Sequence, residues 1–214
     1  MKNSTVDYTY LRISSTTSFH VTTGEHIHSP PSTAGCPPVA LAAVQAYGID
    51  MKVLAIDPGY DRCGVAVIEK NTRELQKKEL LLYSGCITTK KSDVFEKRLF
   101  TVGHTCKDLI EQYTPDVVAL EKVYFSKNQK TALKIAEIRG ALMYIATAAH
   151  IPVREYSPSE VKVAITSSGN ADKRQVAQMV HALITIRKKI KYDDEYDAVA
   201  LGLTCLSHTV ATER

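Results

Sequence analysis

From residue 51 onward the chain alternates short apolar runs with longer segments of helical period. Residues 52–56, 62–69 and 79–87 read as strands; an Asp57-Pro58-Gly59 turn joins the first two, and polar residues 70–78 join the second and third. Phe95, Leu99, Val102, Cys106, Leu109 and Ile110 fall at helical spacing and predict a helix near 93–112. Pro115-Asp116 then introduces Val117-Val118-Ala119-Leu120, a buried strand ending at Glu121. Leu133, Ile135, Ile138, Leu142 and Ile145 mark the apolar face of a helix over 130–149, and a strand over 153–156 follows Pro152. Ser157-Pro158-Ser159-Glu160 is a helix start, with an N-cap Ser, Pro in the first turn and a capping-box Glu. Another helix near 171–184 follows Gly169-Asn170, and the last begins about Asp193 and runs through Ala198, Leu201, Leu203 and Leu206. Three hairpin-like strands, then strands alternating with helices, predict a mixed α/β sheet with helices on its faces.

Residues 1–50 have a different character. They hold thirteen Ser and Thr, three His, four Pro, and only Lys2 and Arg12 as basic residues, with no sustained period beyond Val39–Tyr47. That composition predicts disorder, and no basic segment precedes the apolar piece as a signal peptide would require. Residues 51–214 carry 25 basic and 20 acidic side chains, a mildly basic balance that suits a polyanionic partner. Five widely spaced cysteines without a CxxC pair argue against a disulfide framework or a zinc knuckle and fit reduced thiols in a cytoplasmic protein. No apolar stretch reaches the roughly 18–20 residues that span a bilayer, so a soluble protein is expected.

Four acids stand out because each lies at the end of an element: Asp57, Glu121, Asp194 and Asp197. Asp57 and Glu121 would project at one sheet edge if their strands are neighbours, and Asp194 and Asp197, three apart, share a helix face. Singly, each has an ordinary reading as a turn residue, a solvated strand end or a first-turn helix acid. Together they ask for four coincidences. Converging carboxylates repel, and a hard cation such as Mg²⁺ relieves them; two such ions serve in-line phosphoryl displacement. Lys162, after one helix start, and Lys173, at another helix N-terminus, are placed to meet a phosphate or are simply exposed helix lysines. Tyr124 and Phe125, just past Glu121, are either core or a wedge that stacks on an unpaired base. Arg187-Lys188-Lys189-Ile190-Lys191 reads as a solvated basic loop or a phosphate rail.

Taken in order, several segments carry a specific resemblance: Ile56-Asp57-Pro58-Gly59; Ser84-Gly85-Cys86-Ile87; Ala119 to Asn128; Ala132-Leu133-Lys134 with Arg139-Gly140; Glu160-Val161-Lys162; Ala171 to Val176; and Asp194 to Ala200. The chain from Met51 to about His208 resembles the RuvC family of Holliday-junction resolvases. The resemblance implies a ribonuclease-H-like fold, a mixed five-stranded sheet flanked by helices. It also implies a homodimeric endonuclease that resolves four-way DNA junctions by paired symmetric nicks in recombination and repair. Its cofactor would be Mg²⁺, two ions per active site, with Mn²⁺ as substitute. The family's metal-binding and catalytic acids fall on Asp57, Glu121, Asp194 and Asp197, its phosphate-interacting lysines on Lys162 and Lys173, and its junction-intercalating aromatic on Tyr124 or Phe125. The branch-migration proteins RuvA and RuvB become candidate partners.

Three rivals remain in view. An actin-like or Hsp70-like ATPase needs two such domains, more than residues 51–214 supply. A YqgF-type relative acting on ribosomal RNA shares the opening motif, but the Glu121 and Ala171–Val176 segments favour the RuvC resemblance. A junction binder without catalysis would not need all four acids. The domain expected is 51–214, with Met51 as its start and 1–50 a disordered or mis-assigned extension. Mass spectrometry of the native N-terminus is expected to find no peptide from within residues 1–50.

Overall fold

The computed structural model describes residues 51–70, 79–122 and 129–211, the side chains of 129–130 and 209–211 excepted. Five strands, β1 (Met51–Asp57), β2 (Arg62–Lys70), β3 (Leu80–Thr88), β4 (Val117–Glu121) and β5 (Val153–Tyr156), form one sheet in the order β3-β2-β1-β4-β5. The hairpin pairs β1–β2 and β2–β3 are antiparallel, whereas β1–β4 and β4–β5 are parallel, as the change from hairpins to strand–helix alternation predicted. Helices α1 (Phe95–Tyr113) and α2 (Gln129–Ala148) contribute to the core on one face; α3 (Pro158–Thr166), α4 (Lys173–Leu183) and α5 (Asp193–Ala211) contribute to it on the other.

The central strand reads as an unbroken apolar run because both of its faces are buried. Side-chain alternation divides it. Val53 and Ala55 join the core beneath α3–α5, whereas Leu54 and Ile56 join the core beneath α1 and α2. The same parity on β4 sends Val117 and Ala119 toward α3–α5 and Val118 and Leu120 away. Asp57 and Glu121 continue the first set on each strand, so both fall on the α5 face at the C-terminal ends of two paired parallel strands.

The helix starts form as their sequences dictate. Ser157 accepts from the Glu160 N–H at 3.1 Å, and Glu160 returns the bond at 2.6 Å with Pro158 behind the cap. Asp172 and Gln175 form a second reciprocal box, both bonds 2.8 Å, which the sequence reading did not single out.

Two positions depart from the predicted helix faces. Leu133, assigned to the apolar face of α2, is 57% exposed, because the buried stripe runs instead through Ala132, Ile138, Leu142 and Ala146. Arg98 is 2% exposed inside the apolar face of α1. Its Nε donates to the Asp93 carbonyl, its Nη1 lies 2.9 Å from Asp61 Oδ1, and its guanidinium stacks 4.6 Å over Tyr60. A buried guanidinium with its donors used in this way ties the turn after Asp57 to α1.

Helix α5 lies against the sheet at two glycines. A Cβ on Gly64 would stand 1.8 Å from the Asp194 carbonyl oxygen, and one on Gly202 would stand 2.8 Å from Ile68 Cδ1. Gly64 pairs with Asp57 in the β1–β2 ladder, so this approach brings the start of α5 beside the end of β1. Gly64→Ala is expected to destabilise the fold by about 2 kcal/mol, the scale of an overpacked core position, because the obstacle is backbone and cannot rotate away. Denaturant unfolding of the variant beside wild type measures it, and an unchanged midpoint would count against the close approach.

Candidate active site

The acids predicted from the sequence meet at the mouth formed by β1, β4 and α5. Asp57 and Glu121 are hydrogen-bonded to each other through their side chains. Two carboxylates can share a bond only if one is protonated. Burial, then the hydrogen bond and the charge of Glu121, then the charge of Asp194, raise the Asp57 carboxyl well above the usual range. Both shifts favour a proton held between the two carboxyls. Glu121 is raised as well, chiefly by burial, although the bond from Asp57 works in the opposite direction.

Asp194 and Asp197 open α5 on the same side. Asp197 is pushed up to about 6 by burial and by Asp57, with Lys173 opposing. Lys173 Nζ stands 3.5 Å from Asp193 Oδ2 and 3.6 Å from Asp197 Oδ2. Partial burial pulls its ammonium down, but Asp197 and Asp193 outweigh that and hold it above its ordinary value. Lys162 lines a cleft of about 230 Å³ together with Glu121, Lys173 and Asp197, over a floor that includes Val161, Val176 and Leu201. Both predicted lysines thus border the acids. Tyr124 and Phe125 lie outside the described residues.

Four side chains carry roles that the sequence did not assign them. Arg62, at the start of β2, places Nε 2.8 Å from Asp194 Oδ2. The contact is an ion pair without a directed bond, for that buried oxygen receives no hydrogen bond from any donor among the described residues. Glu195, beside Asp194, turns away from the acids and is 5% exposed. Ser84 Oγ donates to Glu195 Oε1 at 2.7 Å, and Lys188 Nζ lies 2.6 Å from the same oxygen while donating to the Ser84 carbonyl at 2.5 Å. That network fastens the first turn of α5 to β3. Half of the signal was legible: Glu195 shares a helical face with the buried Ala198, Val199 and Leu206. Its partner Lys188 sits in the segment read as solvated, where Ile190 is also buried.

The four acids supply only carboxylate oxygens, the donor set of a hard divalent cation, and Asp194 Oδ2 is a buried acceptor with no hydrogen bond to satisfy it. The residues therefore fit such an ion in chemistry. In this arrangement they are occupied with a shared proton, Arg62 and Lys173, and among the described residues no three His, Cys, Asp or Glu side chains gather round a common point.

The raised carboxyls fix the sign of a pH dependence. An acid that holds its proton more tightly when folded favours folding at low pH, and that advantage fades as pH rises from the unfolded pKa through the folded one. In a chelator, stability is expected to fall as pH rises from about 4 through Asp197's value of about 6, with the raised Asp57 carboxyl contributing in the same direction. Asp57→Asn should flatten the fall and raise the thermal midpoint at pH 8 but not at pH 4. Melting curves across that range read it directly.

The model of the family described as crossover junction endodeoxyribonuclease RuvC matches residues 53–205. The RuvC crossover junction endodeoxyribonuclease of Petrotoga mobilis is 39% identical over 150 residues, 70% of this chain and 90% of that protein. Its counterpart in Thermosipho melanesiensis is 36% identical over 152 residues, 71% of this chain and 94% of that protein. The structure of Thermus thermophilus RuvC in complex with a Holliday junction substrate aligns with a TM-score of 0.67 at 27% identity, covering 76% of this chain and 97% of that one. The yeast mitochondrial Holliday junction resolvase Ydc2 shares the fold, with a TM-score of 0.58 at 13% identity, covering 79% of this chain and 86% of that one. The match over nearly the whole described region, with these identities, establishes that the chain belongs to the RuvC family of crossover junction endodeoxyribonucleases.

Proposed function

We propose that this protein resolves four-way DNA junctions in recombination and repair, as a homodimeric, Mg²⁺-dependent endonuclease whose nuclease domain is residues 51–214. The observation that carries the reading is the hydrogen-bonded pair of Asp57 and Glu121 at the ends of adjacent parallel strands, faced by Asp194 and Asp197 from α5. Membership of the RuvC family and the likeness to a relative solved with a Holliday junction point to the same substrate.

In this reading Asp57, Glu121, Asp194 and Asp197 hold two Mg²⁺ ions, for which Mn²⁺ would substitute. Bound there, the ions would lower the pKa of a water and stabilise the leaving oxygen of an in-line displacement. The proton held between Asp57 and Glu121 must leave for the set to act as ligands. Lys173, paired with Asp197, and Lys162 both line the cleft and would meet the phosphate backbone there. The apolar floor of Val161, Val176 and Leu201 excludes water behind the reacting phosphate and strengthens each charge interaction. Tyr124 or Phe125, directly after Glu121, is the wedge into the junction.

A four-way junction is approximately two-fold symmetric, so a two-fold dimer presents two clefts to opposed strands. Exposed apolar side chains supply a surface for it: Leu133 and Tyr144, at helical spacing on α2, and Phe100 on α1, are 57%, 75% and 66% exposed. RuvA and RuvB are the candidate partners on the DNA. The described cysteines carry no disulfide, and no described helix is long and apolar enough to cross a membrane; the location proposed is the cytoplasm.

The test is nicking of a mobile synthetic four-way junction in Mg²⁺, beside a linear duplex and an RNA substrate. Symmetric nicks confined to the junction are expected, with Asp57→Asn lowering the rate by about 10²–10³-fold while binding survives, the scale of losing one charge-stabilising group. Binding without cutting in Mg²⁺ and in Mn²⁺ would falsify the mechanism and leave a junction-binding module. A preference for RNA would move the assignment to the YqgF type.

A further inference from the structure

Arg62 lies on the face of β2 that carries Gly64, and Gly64 pairs with Asp57; strand alternation therefore sets the arginine at the mouth of the acid cluster. Its side chain is 47% exposed, while that of Asp194 is 23% exposed. Nε stands 2.8 Å from Asp194 Oδ2, yet that oxygen receives no hydrogen bond. This is charge against charge at one point, without the two parallel bonds that lock a guanidinium onto a carboxylate. The guanidinium also lies over the Tyr192 ring, 5.1 Å from its centroid, a contact that does not depend on Asp194.

We infer that Arg62 is a resident counter-ion for Asp194 which a divalent cation displaces, so that this side chain sets how tightly the site takes up its metal. The inference rests on the metal-site reading given above. A carboxylate half-claimed by a monodentate cation keeps its charge compensated when no ion is bound, and it gives that partner up at small cost when one arrives. Tyr192 holds the displaced guanidinium beside the site. Exchange at Asp194 is therefore a competition between Arg62 and the ion, and removing the competitor tightens binding.

A purely structural arginine would behave differently. Its loss would lower stability at every metal concentration and would leave affinity unchanged or weaker. The two cases separate by calorimetric titration of the full chain with Mn²⁺, without DNA, for wild type, Arg62→Met and Arg62→Lys. Arg62→Met is expected to bind Mn²⁺ about fivefold more tightly, the equivalent of about 1 kcal/mol for a partly exposed ion pair, with Arg62→Lys close to wild type. In a chelator its thermal midpoint should fall below that of wild type, and saturating Mn²⁺ should close the gap. Equal or weaker binding by Arg62→Met, with wild type binding normally, would overturn the role of Arg62 and leave the metal site standing. Uptake by neither protein would overturn both.

Discussion

The carbonyl oxygen of Asp194 occupies the space that a side chain at position 64 would fill. Everything at the acid cluster depends on that approach. A helix resting on ordinary side chains would hold Asp194 and Asp197 away from the end of β1. Gly64 removes the obstacle beneath the first turn of α5, and Gly202 removes another farther along, where Ile68 and Ala55 press upward. Each glycine weakens its own element, by roughly 0.5–1 kcal/mol relative to alanine in a strand or helix interior. The fold accepts that loss twice, once in β2 and once in α5, to seat one helix. The network of Ser84, Glu195 and Lys188 then fixes the rotation of α5 about its axis, since only one orientation satisfies the buried carboxylate.

Proximity creates an electrostatic difficulty that the structure resolves in two ways. Two like charges about 4 Å apart repel by about 4 kcal/mol at an effective dielectric constant near 20, too much to leave uncompensated in a marginally stable domain. Glu195 is compensated permanently, with a hydroxyl and an ammonium on a single buried oxygen. Its neighbours are compensated provisionally. Asp57 and Glu121 share a proton, Asp197 has a lysine at 3.6 Å, and Asp194 has an arginine without a directed bond. Adjacent residues of one helical turn thus receive opposite treatment, and the difference separates scaffold from site.

What the sequence disclosed follows the same division. Asp57 and Glu121 were legible at one sheet edge because each ends an apolar run, but that they share a face needed the parallel pairing of β1 with β4. The helix start at Ser157 was legible because a capping box is local chemistry. The three-residue spacing of Asp194 and Asp197 announced a shared helix face. Arg98, Leu133, Arg62 and Lys188 were not legible, for their roles depend on elements distant in the chain. Arg98 is buried because Asp61 and Tyr60 await it from another turn, and Leu133 is exposed because the stripe of α2 that meets the sheet runs through Ala132 and Ala146. In the sequence Arg62 is only the first residue of a strand, and its role depends on α5 setting an acid 2.8 Å from it.

The two faces of the sheet carry separate tasks, and the central strand makes that separation possible. Because β1 is buried on both sides, its alternate residues support two independent cores, one under α1 and α2 and one under α3–α5. The acids occupy the end of the second layer. The most exposed apolar side chains of α1 and α2, Phe100 and Tyr144, belong to the first. A dimer formed through that first layer would bury apolar surface without covering either cleft, and both clefts would remain open to DNA. A dimer through α3–α5 would instead compete with the substrate for Lys162 and Lys173, which line the cleft. Parity along a seven-residue strand therefore decides which layer the carboxylates meet beside and leaves the exposed aromatics of α1 and α2 on the other.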